Sequence, residues 1–206
     1  FVPQEDKVLC NMACEREDLA VEYYSRTIGE GFRSNLTGDY NRYNIAAAVA
    51  VGRYFDIDDS RIAEAILSFT PDNNRSQAVK TERNSLVVDC YNANPSSMEV
   101  ALDNIATMES EHKVLILGDM LELGEWSAEA HLNILHKADG VAERIILVGR
   151  EFADAFQASE GLTADYTLYP TTAEALVALE KNQISGALIL LKGSRGIALE
   201  KLIIKL

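Results

Sequence analysis

Basic residues are scarce in this chain. Lys and Arg number 19 against 32 Asp and Glu, a net charge of −13 over 206 residues. A nucleic-acid-binding face needs a concentrated positive field, so this balance argues against a nucleic-acid partner. It leaves room for an anionic ligand, which backbone amides and a few Lys or Arg can hold. No apolar run approaches the roughly 20 residues of a membrane span, so no membrane insertion is expected. No secretory signal opens the chain, and Phe1 in place of Met leads to the expectation that the natural start lies upstream. The three cysteines, Cys10, Cys14 and Cys90, are too few and too isolated for a disulfide framework or a zinc site. They read as reduced thiols of a cytoplasmic protein. Common catalytic signatures are missing as well. There is no Gly-x-x-x-x-Gly-Lys-[Ser/Thr] phosphate loop, no Gly-x-Gly-x-x-Gly after a strand, and no nucleophile elbow. Any nucleotide chemistry here would need its phosphate-holding half elsewhere.

What is present is ample apolar content, 48% of the residues, and a pattern that sharpens along the chain. Residues 1–38 are weakly patterned, with a short helix expected over Asp18–Tyr24. Asp39 is placed to cap a helix running through Phe55. Asp59 or Ser60 is placed to cap another, with Ile62, Ala63, Ile66, Leu67 and Phe69 on its buried side. The polar, turn-rich stretch Thr70-Pro71-Asp72-Asn73-Asn74 is the natural domain boundary. Beyond it, short apolar runs alternate with helical spacing. Strands are expected at Ser76–Lys80 (an edge), Leu86–Cys90, Lys113–Leu117, Arg144–Val148 and Ala187–Leu191. Helices are expected at Ser97–Met108, Ser127–Ala138, Glu151–Ala158, Thr172–Lys181 and Ile197–Leu206. Continuous apolar strands alternating with helices imply an α/β fold, a mostly parallel Rossmann-like sheet with helices on both faces. Right-handed crossovers then bring the carboxyl ends of the strands to one edge, where ligands bind in such sheets.

Three strand ends carry polar clusters: Asp89 with Tyr91, Asn92 and Asn94; Asp119 with Glu122; and Lys192 with Ser194 and Arg195. In the first, Asn94-Pro95 interrupts regular structure, and Ser96 with Glu99 has capping-box spacing. In the third, Lys-Gly-Ser-Arg-Gly leads into a helix start, where free amides, a hydroxyl and two cations suit a phosphate or carboxylate. Each cluster also has a plainer reading. Asn, Asp, Pro and Ser are ordinary turn and cap residues, and surface Lys and Arg are usually solvated. Asp119 is either a binder of a cation, ribose or amine, or a turn cap. His131 follows the Asp119 loop and is open to either reading, whereas His136 reads as a surface residue. Trp126 reads as loop packing. Convergence on one edge favours a binding site over three solvated loops.

The strings Asp89-Cys-Tyr-Asn-Ala-Asn-Pro-Ser-Ser-Met98, Leu117-Gly-Asp-Met-Leu-Glu-Leu-Gly124 with Ser127 and His131, and Lys192-Gly-Ser-Arg-Gly196 resemble those of the Mur ligases. Gly38-Asp-Tyr-Asn-Arg-Tyr-Asn-Ile-Ala-Ala47 is similar to a helix near the end of that family's central ATPase domain. Arg75 matches the arginine that opens its carboxyl-terminal domain. The resemblance covers about residues 36–206, and its first two strings are similar to the dipeptide-adding branch. It implies that residues 1–74 are a mainly helical remnant of the central ATP-binding domain and that 75–206 are the carboxyl-terminal ligase domain. It implies ATP-driven peptide-bond formation between UDP-N-acetylmuramoyl-tripeptide and D-alanyl-D-alanine through an acyl phosphate, by a cytoplasmic monomer. ATP and Mg2+ would be held mainly by parts of the enzyme outside this chain, leaving the chain inactive alone. By position, Arg75, Asp89, Tyr91, Asn92 and Asn94 would face ATP. Asp119 and Lys192 would be catalytic, and Ser194, Arg195 and Asp119 would meet the dipeptide. A stand-alone nucleotide- or anion-binding module, and an interaction domain with a solvated polar edge, are the alternatives.

Overall fold

The computed structural model describes residues 1–36, 41–69 and 76–206, which fall into two units, Phe1–Thr70 and Pro71–Leu206. The expected cap Asp39, the boundary stretch Thr70–Asn74 and Arg75 lie outside the described residues.

In the first unit, β1 (Val2–Pro3) pairs in parallel with β2 (Tyr23–Tyr24), so the helix expected at Asp18–Tyr24 is not formed. The helix is instead α1 (Lys7–Cys14), whose cap Asp6 accepts from the Leu9 amide at 3.0 Å. None of its residues is buried, and its larger apolar side chains Val8, Leu9 and Met12 are exposed. After a 3-10 turn at Arg26–Gly29 come α2 (Asn41–Tyr54) and α3 (Asp59–Ser68). Ile45, Val49, Ile62 and Ile66 close a small core between them. Leu67 and Phe69 are exposed rather than buried. Asp59 caps nothing through its side chain, because its carboxylate grips the Arg53 guanidinium with contacts of 2.9 and 2.7 Å.

The second unit is a six-stranded sheet in the order β3-β4-β8-β5-β6-β7. Its strands are β3 (Gln77–Lys80), β4 (Ser85–Asp89), β5 (Lys113–Gly118), β6 (Arg144–Val148), β7 (Asp165–Tyr169) and β8 (Leu188–Lys192). Only β3, at the edge, runs antiparallel. The interleaved helices are α4 (Pro95–Thr107), α5 (Ser127–Asp139), α6 (Arg150–Ala158) and α7 (Thr172–Lys181). Strand alternation divides the core in two. Leu115 and Leu117 of β5 face α4, α5 and α6, while Val114 and Ile116 face α7 and the chain's last turns. Each fully buried Leu or Ile here contributes roughly 1.5–3 kcal/mol relative to exposure. The mostly parallel sheet covered on both faces is therefore as the apolar runs imply.

Two elements differ from the sequence reading. β7 carries no continuous apolar run. As an edge strand it is only half-buried, so its pattern is weak. The closing segment is not an α-helix but two 3-10 stretches, Arg195–Ile197 and Leu199–Lys205, separated by Ala198 in a left-handed conformation (φ 59°). That reversal breaks helical hydrogen bonding and lets Leu199, Leu202 and Leu206 settle on the sheet.

Candidate functional site

The strand order puts β8 between β4 and β5, so the three polar strand ends lie side by side. α4 leaves β4 over one face, while the chain leaves β8 over the other. That reversal is the crevice position of open α/β sheets.

At the end of β4, Asn94 is the N-cap of α4. Its Oδ1 accepts from the Ser97 amide at 2.9 Å, and Ser97 Oγ accepts from the Asn94 amide at 3.1 Å. The capping box is thus Asn94/Ser97, not the expected Ser96/Glu99. Pro95 takes the first helical position, where its missing N–H costs nothing. Asn92 Oδ1 accepts from the Ala93 amide at 2.9 Å. Tyr91 stays 38% exposed.

Lys192 and Asp89 occupy paired register positions of β8 and β4, and Nζ meets Oδ2 at 2.7 Å. Lys192 also donates to Asn92 O at 3.2 Å, and Asp89 Oδ1 accepts from the Ser76 amide at 3.3 Å. Lys192 is 1% exposed. The edge therefore does not offer two open cations as the sequence suggested. Arg195 is the open one, its guanidinium 5.5 Å from the centroid of the Tyr91 ring. Because the residues after Ser194 form only a short 3-10 turn, the helix start expected to bind an anion there is absent.

Asp119, at the end of β5, is buried. Its Oδ2 accepts from the Glu151 amide and its Oδ1 from the Phe152 amide, both at 3.0 Å. These are the second and third amides of α6, whose own N-cap, Gly149, has no side chain to offer. Asp119 thus caps a helix from the neighbouring strand. Gly149 makes the approach possible. Its φ is +128°, and a Cβ there would overlap the Asp119 carboxylate.

Ser194 ties the three ends together. Its Oγ accepts from the Leu121 amide at 2.9 Å and reaches Ala93 O at 3.5 Å, while its amide donates to Asp119 O at 3.1 Å. His131, fully buried, secures the same loop. Its Nε2 accepts from the Met120 amide at 2.9 Å, and its Nδ1 donates to Ser127 O at 2.8 Å. An amide can only donate and a carbonyl only accept, so these partners fix a neutral imidazole with its proton on Nδ1. Ser127 does not cap α5; its hydroxyl donates to Glu151 Oε2 at 2.6 Å. The anchoring roles of His131, Gly149 and Glu151 were not readable. Only the proximity of His131 to the Asp119 loop hinted at the first. Trp126, expected to pack, is 64% exposed.

A parallel sheet with polar loops converging at its carboxyl edge defines a Rossmann-like ligand-binding domain. The chain belongs to the Mur ligase family: residues 74–195 match the family model described as Mur ligase, glutamate ligase domain. It is 35% identical over 177 residues to the UDP-N-acetylmuramoyl-tripeptide–D-alanyl-D-alanine ligase of Treponema pallidum, covering 84% of this chain and 38% of that protein. It is 32% identical over 177 residues to the protein of the same name from Bacillus subtilis, covering 82% of this chain and 38% of that one. Among solved structures, MurF from Acinetobacter baumannii superposes with a TM-score of 0.75 at 26% identity, over 84% of this chain and 39% of that one. The chain therefore spans well under half the length of these relatives.

Proposed function

We propose that this chain is the carboxyl-terminal portion of an ATP-dependent carbon–nitrogen ligase that adds D-alanyl-D-alanine to UDP-N-acetylmuramoyl-tripeptide in peptidoglycan synthesis. The observation that carries this reading is the meeting of three strand ends around Ser194, in a chain whose relatives bear that ligase's name. In the proposed reaction the tripeptide carboxylate is activated as an acyl phosphate, and the dipeptide amine displaces the phosphate. Tyr91, with the turn that Asp89, Asn92 and Asn94 shape, is assigned to the adenosine side, together with Arg75. Arg195 is assigned to the dipeptide carboxylate, which its planar guanidinium suits. Lys192 and Asp119, held by Asp89 and by α6, act by positioning these loops. ATP supplies the activating phosphoryl group. The Mg2+ of MgATP is assigned mainly to parts of the enzyme outside this chain, with the phosphates it accompanies. We assign the enzyme to the cytoplasm as a monomer. No helix among the described residues is long and apolar enough to cross a membrane.

The test is phosphate release from MgATP with UDP-N-acetylmuramoyl-tripeptide and D-alanyl-D-alanine, on this chain and on one extended upstream. Turnover by the extended chain alone is the expected result. Turnover by this chain alone would overturn the assignment of the phosphate site to another segment. Silence in both, with adenine-nucleotide binding retained, would favour a stand-alone binding module.

A further inference from the structure

Asp89, Lys192 and Asp119 all spend their charges inside the protein. The Arg195 guanidinium is exposed, 5.5 Å from the centroid of the Tyr91 ring, and has no ion-pair partner among the described residues. Glu122, from the same polar cluster as Asp119, is exposed and has no hydrogen-bond or ion-pair partner among the described residues. Its backbone is nevertheless held in the left-handed region at φ +68°, which side chains other than Asn and Gly rarely adopt. Both sides of it are fastened. The Met120 amide is bound by His131, the Leu121 amide by Ser194, and Trp126 N donates to Leu123 O at 3.3 Å. The Leu121 side chain presses so closely on Gly196 that a Cβ there would lie 2.8 Å from Leu121 Cδ1. The loops 120–122 and 194–196 are therefore in direct contact. Glu122 and Arg195 each stand one residue beyond the Leu121–Ser194 hydrogen bond. A carboxylate and a guanidinium, neither in an ion pair among the described residues, thus flank one point of the edge.

Opposite charges on two rigid, touching loops suit a small zwitterion. A dipeptide carries an ammonium at one end and a carboxylate at the other, about 7 Å apart when extended. We propose that Glu122 is the specificity-determining residue that receives the ammonium of the incoming dipeptide while Arg195 receives its carboxylate. This rests on the ligase reading above. Glu122 is exposed, and a strained backbone held in place without internal use for its side chain points to a ligand. No proton transfer is assigned to Glu122; it selects and orients the amine.

The test uses the upstream-extended enzyme and three variants. Glu122→Gln keeps size and removes charge. It should raise the KM for D-alanyl-D-alanine about tenfold or more while the KM for ATP stays unchanged. Glu122→Gly should raise thermal stability by relieving the backbone, yet show the same loss for the dipeptide. Glu125→Gln, a neighbouring exposed acid, should leave both KM values unchanged. As inhibitors, D-alanyl-D-alanine analogues with a hydroxyl in place of the amine should bind wild type worse than amine-bearing ones. That preference should vanish in Glu122→Gln. An active wild type with an unchanged dipeptide KM in Glu122→Gln would overturn this assignment alone. An inactive wild type would overturn the ligase reading and the assignment with it.

Discussion

Lys192 Nζ lies 2.7 Å from Asp89 Oδ2, across two parallel strands whose residues are 103 positions apart in sequence. The ammonium is 1% exposed and the carboxylate 17%. This is the ionic link under the crevice, and it joins the β4–α4 turn to the loop that presents Ser194 and Arg195.

Breaking one side of such a pair strands the other charge in a low-dielectric place. Asp89→Ala should cost about 3–5 kcal/mol, because the ammonium has almost no water to fall back on. Lys192→Met should cost less, since Asp89 keeps some exposure and the Ser76 amide. Replacing both by apolar residues, Asp89→Leu with Lys192→Met, should recover most of the loss. Urea unfolding of the single and double variants checks this. A double variant that loses the sum of the two single losses would mean that the charges are not coupled.

The second prediction concerns Gly149 and Asp119. An alanine at 149 must adopt φ near +128° and displace a carboxylate holding two amides. Gly149→Ala should therefore destabilise by about 3 kcal/mol or more. Asp119→Asn keeps the shape but can accept only one of the two amide bonds, and should cost about 1.5–3 kcal/mol. Because both changes act on one contact, their effects should not add. Unfolding free energies of the two single variants and the double variant decide it.

The sheet was legible because β4, β5, β6 and β8 are buried on both sides and read as unbroken apolar runs. β7 was missed because an edge strand half in water has no such run. The convergence of the Asp89, Asp119 and Lys192 loops followed from strand direction alone. What those residues do there did not follow. Lys192 looks like a free cation until its partner on β4 is placed beside it. Asp119 looks like a site carboxylate until the amides of α6 arrive from 32 residues downstream. Local spacing carries cap and turn chemistry, but not partners supplied by tertiary contact. Even the local signal misled at the start of α4, where Ser96 and Glu99 have capping-box spacing but Asn94 and Ser97 form the box.

Thiol reactivity gives a third prediction. Burial, followed by the nearby charges of Glu200 and Asp89, pushes the Cys90 thiol up to about 12, and its Sγ donates to Leu191 O at 3.4 Å. At pH 8 only about one Cys90 in ten thousand would be thiolate, and that fraction is shielded from solvent. Cys14 is exposed and Cys10 half-buried. A disulfide reagent should label Cys14 fastest, Cys10 more slowly, and Cys90 only after unfolding. Labelling of Cys90 in the native protein, read by peptide mass, would show that the sheet opens at β4.

The fourth prediction is a pH dependence. Asp139, at the end of α5, holds the segment before β7. Its carboxylate accepts from the Thr163 and Ala164 amides, the Thr163 hydroxyl and the Tyr166 hydroxyl, all within 2.9–3.1 Å. Burial by itself would raise its pKa. The hydrogen bonds from Ala164, Thr163 and Tyr166 outweigh that and bring it down from 3.8 to about 2. Folding therefore favours the ionised form, so the stabilisation is fully present above the unfolded value of 3.8. It is lost as pH falls from 3.8 through about 2. Asp139→Asn removes this titration. The stability difference between wild type and Asp139→Asn should be constant above pH ~4.5 and shrink steadily towards pH ~2. Comparing the two proteins at each pH cancels the titration of the other carboxylates. Urea midpoints across that range provide the check, and a difference that stays constant down to pH ~2 would mean that Asp139 is not held in its ionised form by these bonds.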